Sequence, residues 1–360
     1  MKIIHILPEV RTSGGITLLK NNLINLKSGI SHLIWASKIK EKINFYNTDT
    51  ILTKHSNIRY FIQIIKRLKT EDKDKTLIHI HGRNGFFVFL AAKIIKIKVI
   101  YQAHGYYYKL EKRKLFFLFQ NLLDNYLLQF SDFILFTSDG EKKFALKNYN
   151  VNIKYKVIYN RSNFVKNKKH IPTISNKKLI IYCLATSNIY QKGLDNQLLL
   201  IKKLKDLNSN FKLIHYFNFQ NQYELKILNN QIKNLNLSSH YFLKKATKNV
   251  WDEITASGGI VISTSRYEGR NLVIQEAFHN MVPVVATNCI GQNELLEENR
   301  GFILKENKFD EWPKILSEAL SNEELRKIKA IRANNWIKKF GDMKQYSKEL
   351  FECYKYVMDL

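Results

Sequence analysis

Short apolar runs, many of them β-branched, recur through the first half of the chain at residues 2–8, 32–37, 77–82, 98–104, 132–138 and 154–160. Each is followed by a polar loop or a stretch of helical periodicity. Alternation of this kind predicts a parallel sheet covered by helices on both faces. The second half repeats the pattern at 178–186, 211–217, 240–246, 258–265, 282–288 and 301–304, so both halves read as Rossmann-like domains. Residues 160–177 are polar, basic and aperiodic, and form the expected linker. Helical spacing then runs almost unbroken over 323–358, where Tyr346, Leu350, Tyr354 and Val357 make an apolar stripe. Such a stripe must pack on something, and it is long enough to reach back to the first domain. The predicted division is 1–160, 161–335 and a terminal helical segment 336–360.

A chain of 360 residues with 45% hydrophobic content can bury two cores of ordinary size. Lys and Arg number 58 against 31 Asp and Glu, a net charge of +27. Nucleic acid, anionic membrane and phosphorylated substrates are the partner classes such a surface attracts. Cys183, Cys289 and Cys353 form no CxxC pair, so neither a zinc site nor a disulfide framework is expected, and a reducing compartment fits best. The amino terminus enters a strand-like run that breaks at Pro8, without the apolar region of an export signal. The apolar neighbourhood from Leu77 to Tyr101 is interrupted by His79, His81, Arg83, Lys93, Lys96 and Lys98, so no transmembrane helix is predicted.

In open α/β sheets, ligands collect beyond the carboxyl ends of the strands. Gly14, Gly15, His81 to Arg83, His104, Lys192 and the segment after Ser265 are the positions this singles out. The most informative stretch runs Ser263-Thr264-Ser265-Arg266-Tyr267-Glu268-Gly269-Arg270-Asn271-Leu272 and on to Glu276, a strand, a glycine turn and a helix start. A helix start presents unpaired amides reinforced by its dipole, here around Arg270 to Val273, where a diphosphate can be held. Glu268 falls on the turn and Glu276 on the helix's second turn, both placed to accept sugar hydroxyls. Two glutamates at this interval, taken alone, are more often solvated.

The pair does not stand alone. Tyr267-Glu268-Gly269…Glu276-Ala277, then Pro283-Val284-Val285-Ala286-Thr287, then Gly301-Phe302-Ile303-Leu304 resembles the donor block of the family-four retaining glycosyltransferases. That block has a Glu-x7-Glu motif, a Pro-Val-Val-Ala strand and a glycine before a short apolar strand. Beyond it, Ser13-Gly14-Gly15 is similar to the family's N-terminal glycine loop and Gln102-Ala103-His104-Gly105 to its strand-end histidine segment. Val157-Ile158-Tyr159-Asn160 is similar to its interdomain segment and Gln191-Lys192-Gly193 to the stretch with its phosphate-binding lysine. One position departs from the pattern: the arginine five residues before that lysine is Ser187 here, so either Arg266 or Arg270 supplies the second cation or the chain handles its leaving group differently.

The resemblance implies a GT-B enzyme, two Rossmann-like domains facing across a cleft, with the C-terminal helix returning to the N-terminal domain. It implies retaining, metal-independent transfer of a hexose or N-acetylhexosamine from a nucleoside diphosphate sugar, expected to be UDP-linked. Scarce Pro and Gly beside abundant Lys, Asn and Ile fit an AT-rich bacterial genome, and by that association the expected acceptor is a growing bacterial surface glycan, free or lipid-linked. No cofactor is implied, the nucleotide sugar being a substrate, and no His, Cys and carboxylate cluster with metal spacing is read. On this resemblance Lys192 would neutralise the leaving group, His104 and Glu268 would contact the transferred sugar, and Glu276 the ribose. Leu243 lies where relatives contact the base, with Gly15, Arg266, Gly269, Arg270, Asn271 and Leu272 near the phosphates. Gly14, Arg83 and Tyr106 are expected on the acceptor side. His79 and His81, two apart on one strand face, are read as structural.

Residues 106–119 interleave aromatics with cations, and the helical pattern continues to Phe130. A basic amphipathic helix can rest on an anionic bilayer and meet a lipid-linked acceptor, or pack its aromatic face on the sheet. The expected location is cytoplasmic, at the inner face of the membrane in the first case. A basic nucleic-acid-binding protein is the competing class, but no recognition helix, zinc finger or ribonucleoprotein signature accompanies the charge, and nucleic acid is not expected as a partner. A sugar-nucleotide epimerase of the same fold is the nearer alternative.

Overall fold

The computed structural model describes the whole chain except residues 11–13, 27–29, 47, 55–56, 107–113, 163–178, 186–187, 208–209, 218–221, 246 and 248, and the side chains of 14 and 114–117. Ser13 of the glycine loop, most of the expected linker, the stretch 107–113 and Ser187 lie outside the described residues. The chain divides into two compact units, Met1–Arg161 with Asp342–Leu360, and Ser162–Gly341.

Unit 1 holds the parallel strands β1 (Lys2–Leu7), β2 (Ser31–Ala36), β3 (Thr48–Leu52), β4 (Thr76–His81), β5 (Lys98–Gln102), β6 (Phe133–Phe136) and β7 (Tyr155–Val157), in the order β3-β2-β1-β4-β5-β6-β7. Its helices are α1 (Gly14–Asn25), α2 (Phe61–Leu68), α3 (Phe86–Ile95), α4 (Lys114–Phe130) and α5 (Asp139–Asn148). β3 has no counterpart among the predicted strands. Its sequence, Thr-Asp-Thr-Ile-Leu, is three-fifths polar, as suits an edge strand paired among the described residues with β2 alone.

Unit 2 holds β8 (Leu179–Leu184), β9 (Phe211–Tyr216), β10 (Tyr241–Lys244), β11 (Ile260–Ser263), β12 (Val284–Thr287) and β13 (Phe302–Leu304), parallel in the order β10-β9-β8-β11-β12-β13. Around them lie α6 (Leu194–Leu207), α7 (Gln222–Asn234), α8 (Val250–Ser257), α9 (Leu272–His279), α10 (Asn293–Leu296), α11 (Trp312–Ser321) and α12 (Glu323–Phe340). Two apolar clusters fill the faces of this sheet, one around Ile181, Phe211, Ile262 and Trp312, the other around Tyr182, Val261, Phe278 and Ile337. The strand order reverses between β8 and β11, and in unit 1 between β1 and β4. Those reversals leave crevices at the carboxyl ends of the strands, because the chain departs to opposite faces there.

The helical run expected over 323–358 is two helices. α12 stays with unit 2, where Ala333 and Ile337 enter the core and Asn334 Nδ2 donates to the Phe278 carbonyl at 2.8 Å. Gly341, at φ +100°, then turns the chain, and the Asp342 carboxylate caps the next helix by accepting from the amides of Lys344 and Gln345. That helix, α13 (Met343–Asp359), packs on α1 in unit 1 and buries Tyr346, Leu350, Tyr354 and Val357. Residues 336–341, expected with the terminal segment, therefore belong to unit 2.

The two faces of the unit 1 sheet differ in chemistry. Ile4, Ile6, Ile78, Ile80, Val99 and Tyr101 join the apolar core shared with α2, α3 and α4. The opposite face, where α13 lies, carries His5, His79, His81 and Gln102 in neighbouring registers. No helix among the described residues is long and apolar enough to cross a membrane. All three cysteines are free and buried.

Candidate active site

At the reversal between β8 and β11, unit 2 has a small pocket lined by Cys183, Ala185, Lys192, Ser265, Glu268 and Asn271 among others. Two loops build it. Gln191-Lys192-Gly193 docks on Thr264-Ser265-Arg266: Thr264 Oγ1 donates to the carbonyls of Lys192 and Gly193 at 3.1 and 3.0 Å, and the Arg266 amide donates to the Gln191 carbonyl at 2.9 Å. Gly193 sits at φ +59°, and a Cβ there would lie 2.0 Å from the Thr264 carbonyl oxygen, so only glycine lets the lysine loop approach this closely. Lys192 Nζ then reaches Glu268 Oε1 at 2.7 Å, and Ser265 Oγ donates to the same oxygen at 2.7 Å.

The Glu268 turn is held from behind by Gly291, at φ +80°, whose missing Cβ would fall 2.4 Å from the Glu268 carbonyl. The Glu268 amide donates to the Ile290 carbonyl at 3.0 Å. Asn271 caps α9 by accepting from the Ile274 amide, and its Nδ2 donates to Gln292 Oε1 at 3.0 Å and Ser263 Oγ at 3.2 Å. Leu272 and Val273 thereby open the helix with amides that have no carbonyl a turn earlier. Gly269 lies in the turn between Glu268 and the cap. The sequence assigns no role to Gly291, Gln292 or the Ser265 hydroxyl, although Ser265 lies within the motif stretch and Gly291 follows β12 by four residues.

The two arginines expected to supply a second cation are brought to the site and are already committed. Arg266 forks onto Asp195 with contacts of 2.8 and 2.7 Å, donates to the Tyr190 carbonyl and lies over the Tyr190 ring. Arg270 is buried, donates to Glu294 Oε2 at 3.1 Å and lies over the Phe340 ring. A carboxylate cancels each charge locally, so neither stands as an open counter-charge. On α9, Glu276 is half-buried and its Oε2 accepts from Trp251 Nε1 at 3.1 Å. Burial pushes its carboxyl up to about 6 against that hydrogen bond. Leu243, on the edge strand β10, is half-buried and packs on the unit 2 core.

In unit 1, His104 follows β5 at φ +60°, a left-handed conformation that non-glycine residues seldom adopt and that concentrates at functional loops. The next amide, Gly105, donates to Glu141 Oε1 at 2.7 Å, and Glu141 Oε2 accepts from the amide and hydroxyl of Thr137. Glu141, unremarked in the sequence, thus ties the His104 loop to α5; burial pushes its carboxyl up to about 7 against those donors. Arg83 donates to the buried Asp124 at 2.7 Å and to Gln120 at 3.0 Å, and Tyr101 donates to Asp124 as well. Tyr106, expected on the acceptor side, is a core residue, stacked on Phe144, because its ring removes more apolar area from water there. Gly14 and Gly15 open α1, and a Cβ on Gly15 would meet no atom within 4 Å.

The family model for Glycosyl transferases group 1 matches residues 165–336, and that for Glycosyltransferase Family 4 matches residues 40–161. An uncharacterised glycosyltransferase of Methanocaldococcus jannaschii is 26% identical over 343 residues, 91% of each chain. HepE of Anabaena, solved with UDP-glucose, superposes with a TM-score of 0.78 at 17% identity, over 98% of this chain and 99% of HepE. TarM of S. aureus superposes at 0.69 with 16% identity over 83% of this chain; that match spans 58% of TarM's length. The two helix-covered parallel sheets are those of the two-domain GT-B fold. With both halves matched in order and the Glu268–Glu276 block in place, the chain is a glycosyltransferase and belongs to the family-four GT-B glycosyltransferases.

Proposed function

We propose that this transferase moves a hexose or N-acetylhexosamine from a UDP-sugar to a growing bacterial surface glycan, with retention and without a metal ion. The observation that carries the reading is the Lys192–Glu268 pair, 2.7 Å apart, in one pocket with Ser265 and the opening of α9. A sugar that departs from a nucleoside diphosphate leaves charge on phosphate oxygen. An ammonium and helix-start amides converging on one place neutralise that charge in the role a divalent ion would otherwise take. In this reading Lys192 and the amides of Leu272 and Val273 hold the diphosphate, Glu268 accepts from sugar hydroxyls and Glu276 from the ribose. Leu243 lies toward the base, and His104 donates to the transferred sugar. The acceptor oxygen bonds to the anomeric carbon on the face where the phosphate bond breaks, and its proton passes to the leaving phosphate, so no separate base is required. HepE carries UDP-glucose on the same fold, which favours UDP-sugars as the first donors to test.

A thermal-shift screen of nucleotide sugars tests the donor. A ligand at 100 times its Kd stabilises the native state by about 2.7 kcal/mol. UDP-sugars are expected to raise the melting temperature more than GDP- or ADP-sugars, and equal or absent shifts across the panel would count against the reading. The shift is expected to shrink as pH falls through about 6, because the Glu276 carboxyl accepts two ribose hydroxyls only when ionised. Free-protein stability moves the other way. With its folded value raised from 4.5 to about 6, Glu276 holds a proton in the fold that the unfolded chain has released, so its contribution falls as pH rises across that window. Glu276→Gln is expected to abolish both trends. Interconversion of the donor's sugar without acceptor would favour an epimerase instead.

A lipid-linked acceptor at the inner face of the cytoplasmic membrane is supported by α4, where Leu118, Leu122, Tyr126 and Phe130, spaced four apart, are 40–66% exposed on a chain of net charge +27. Co-sedimentation with vesicles containing phosphatidylglycerol is expected, weakened by salt and by Leu122→Glu. Binding indifferent to anionic lipid and to the substitution would remove the membrane from the proposal.

A further inference from the structure

Five of the ten histidines gather on the α13 face of the unit 1 sheet. Four of them form a line. His104 Nε2 lies 2.9 Å from His81 Nδ1, His81 Nε2 lies 3.1 Å from His5 Nδ1, and His5 Nε2 lies 3.1 Å from His32 Nδ1. Neighbouring rings are inclined by only 16–25° with centroids 5.2–5.4 Å apart. With nitrogens near 3 Å, that separation sets the rings edge to edge rather than face to face. The line takes one ring from each of the neighbouring strands β2, β1 and β4 and from the loop after β5. Since β1 pairs Ile3 with His32 and His5 with His79, and β4 pairs His81 with Gln102, each step moves two residues toward the carboxyl ends. The result is a diagonal from the start of β2 to the end of β5. His79 stands beside it, its ring stacked 4.0 Å from His81, accepting from the Tyr354 hydroxyl at 2.8 Å and donating Nε2–H to Gln102 Oε1 at 3.1 Å.

Burial holds all five rings neutral: it brings His32 and His104 down to about 4 and His79 to about 3, and it takes His5 and His81 well below the ordinary value with neighbouring imidazoles adding to the effect. A neutral imidazole has one N–H and one lone pair. Every link joins an Nε2 to an Nδ1, so a proton on Nδ1 of one ring requires a proton on Nδ1 of the next. Two different tautomers side by side would oppose two N–H groups or two lone pairs. The four rings therefore share one tautomer. The far end selects it: His32 Nε2 is buried and has no partner among the described residues. A buried orphan N–H is rarer than an unsatisfied acceptor, which leaves a lone pair on His32 Nε2 and the protons on Nδ1 throughout.

We propose that His104, His81, His5 and His32 are one tautomerically coupled imidazole chain that holds His104 as an Nδ1–H donor, with His81, His5 and His32 as positioning residues. The proposal rests on the transferase reading only for what that donor meets, a sugar oxygen. One nitrogen each of His5, His79 and His81 also lies within 4.8 Å of the others, close enough to share a metal ion. Both nitrogens of all three rings already have hydrogen-bond partners, however, so the chain accounts for them without one.

Long-range proton–nitrogen correlation spectra of the ligand-free protein, labelled at histidine and assigned through single variants, test the tautomer without reference to activity. Nδ1–H on all four rings, with Nε2–H on His79, is expected at pH 7. Nε2–H or a mixture at His104 overturns the proposal, as does one equivalent of zinc or copper retained by the purified protein. The positioning role is read from His81 variants. His81→Leu removes the partner of His104 Nε2 and is expected to give mixed tautomers at His104 and a fall in kcat/KM of about five- to tenfold, the worth of one neutral hydrogen bond. His81→Asn, whose amide can donate the same bond, is expected to restore both. Equal loss in the two variants with the His104 tautomer unchanged would assign His81 a structural role only. If neither variant folds, the wild-type spectrum decides.

Discussion

Lys192→Ala is expected to lower turnover of the donor by about a thousandfold, roughly 4 kcal/mol of transition-state stabilisation. Two effects add. The ammonium no longer meets the charge that develops on the leaving phosphate, and the Glu268 carboxylate, 10% exposed and 2.7 Å from that ammonium, is left facing the same pocket. The second effect makes Glu268 a repulsive neighbour of the diphosphate, so the two positions should not behave independently. In a cycle with Glu268→Gln, a coupling of about 0.5–3 kcal/mol is expected, as for groups in one charge network. Neither Arg266 nor Arg270 can take over, since Asp195 and Glu294 hold them. Nucleoside diphosphate release, followed with the donor that the stability screen identifies, is the measurement. Turnover above a tenth of wild type in Lys192→Ala would falsify the assignment while leaving the fold and family untouched.

Ending the chain at Gly341 is expected to unfold unit 1 while unit 2 keeps its structure. α13 contributes the buried side chains of Met343, Tyr346, Leu350, Cys353, Tyr354 and Val357 to that unit. At roughly 1.5–3 kcal/mol for each large apolar side chain fully buried, their removal exhausts the ordinary stability of about 5–15 kcal/mol. The loss is polar as well. His79 gives up the Tyr354 hydroxyl at 2.8 Å, Lys98 Nζ its contact with the Met358 carbonyl at 2.7 Å, and the buried Arg161 its ion pair with Glu349 at 3.0 Å. A buried arginine without its carboxylate is costlier than the pair was worth. Hydrogen exchange resolves the outcome by segment: amides of β1, β4 and β5 should lose protection and those of β8, β11 and β12 should keep it. Unchanged protection in β1 would show that the sheet does not need this helix.

Much of the fold was legible because parallel strands buried on both faces are written as apolar runs, and twelve such runs mark twelve of the thirteen strands among the described residues. β3 was not, since its sequence Thr-Asp-Thr-Ile-Leu is mostly polar and none of its residues is fully buried. The break between α12 and α13 is written in the chain as Gly341-Asp342, a glycine at positive φ followed by a cap, where the apolar tail begins; periodicity alone does not mark it because helical spacing resumes at once. Within the site, whatever lies inside one strand, turn and helix was readable: Glu268, Gly269, Asn271 and Glu276 sit where local geometry puts them. What the sequence by itself determined is thus the set of elements and the chemistry carried at their ends. Tertiary structure decided which charges remain open and which histidines meet. Asp195 lies 71 residues from Arg266, and His81 lies 76 from His5, so these contacts arise only once a strand order and a register are chosen. Register fixes the histidine contacts because a slip of one residue in β1, β2 or β4 would turn that strand's imidazoles to the opposite face of the sheet.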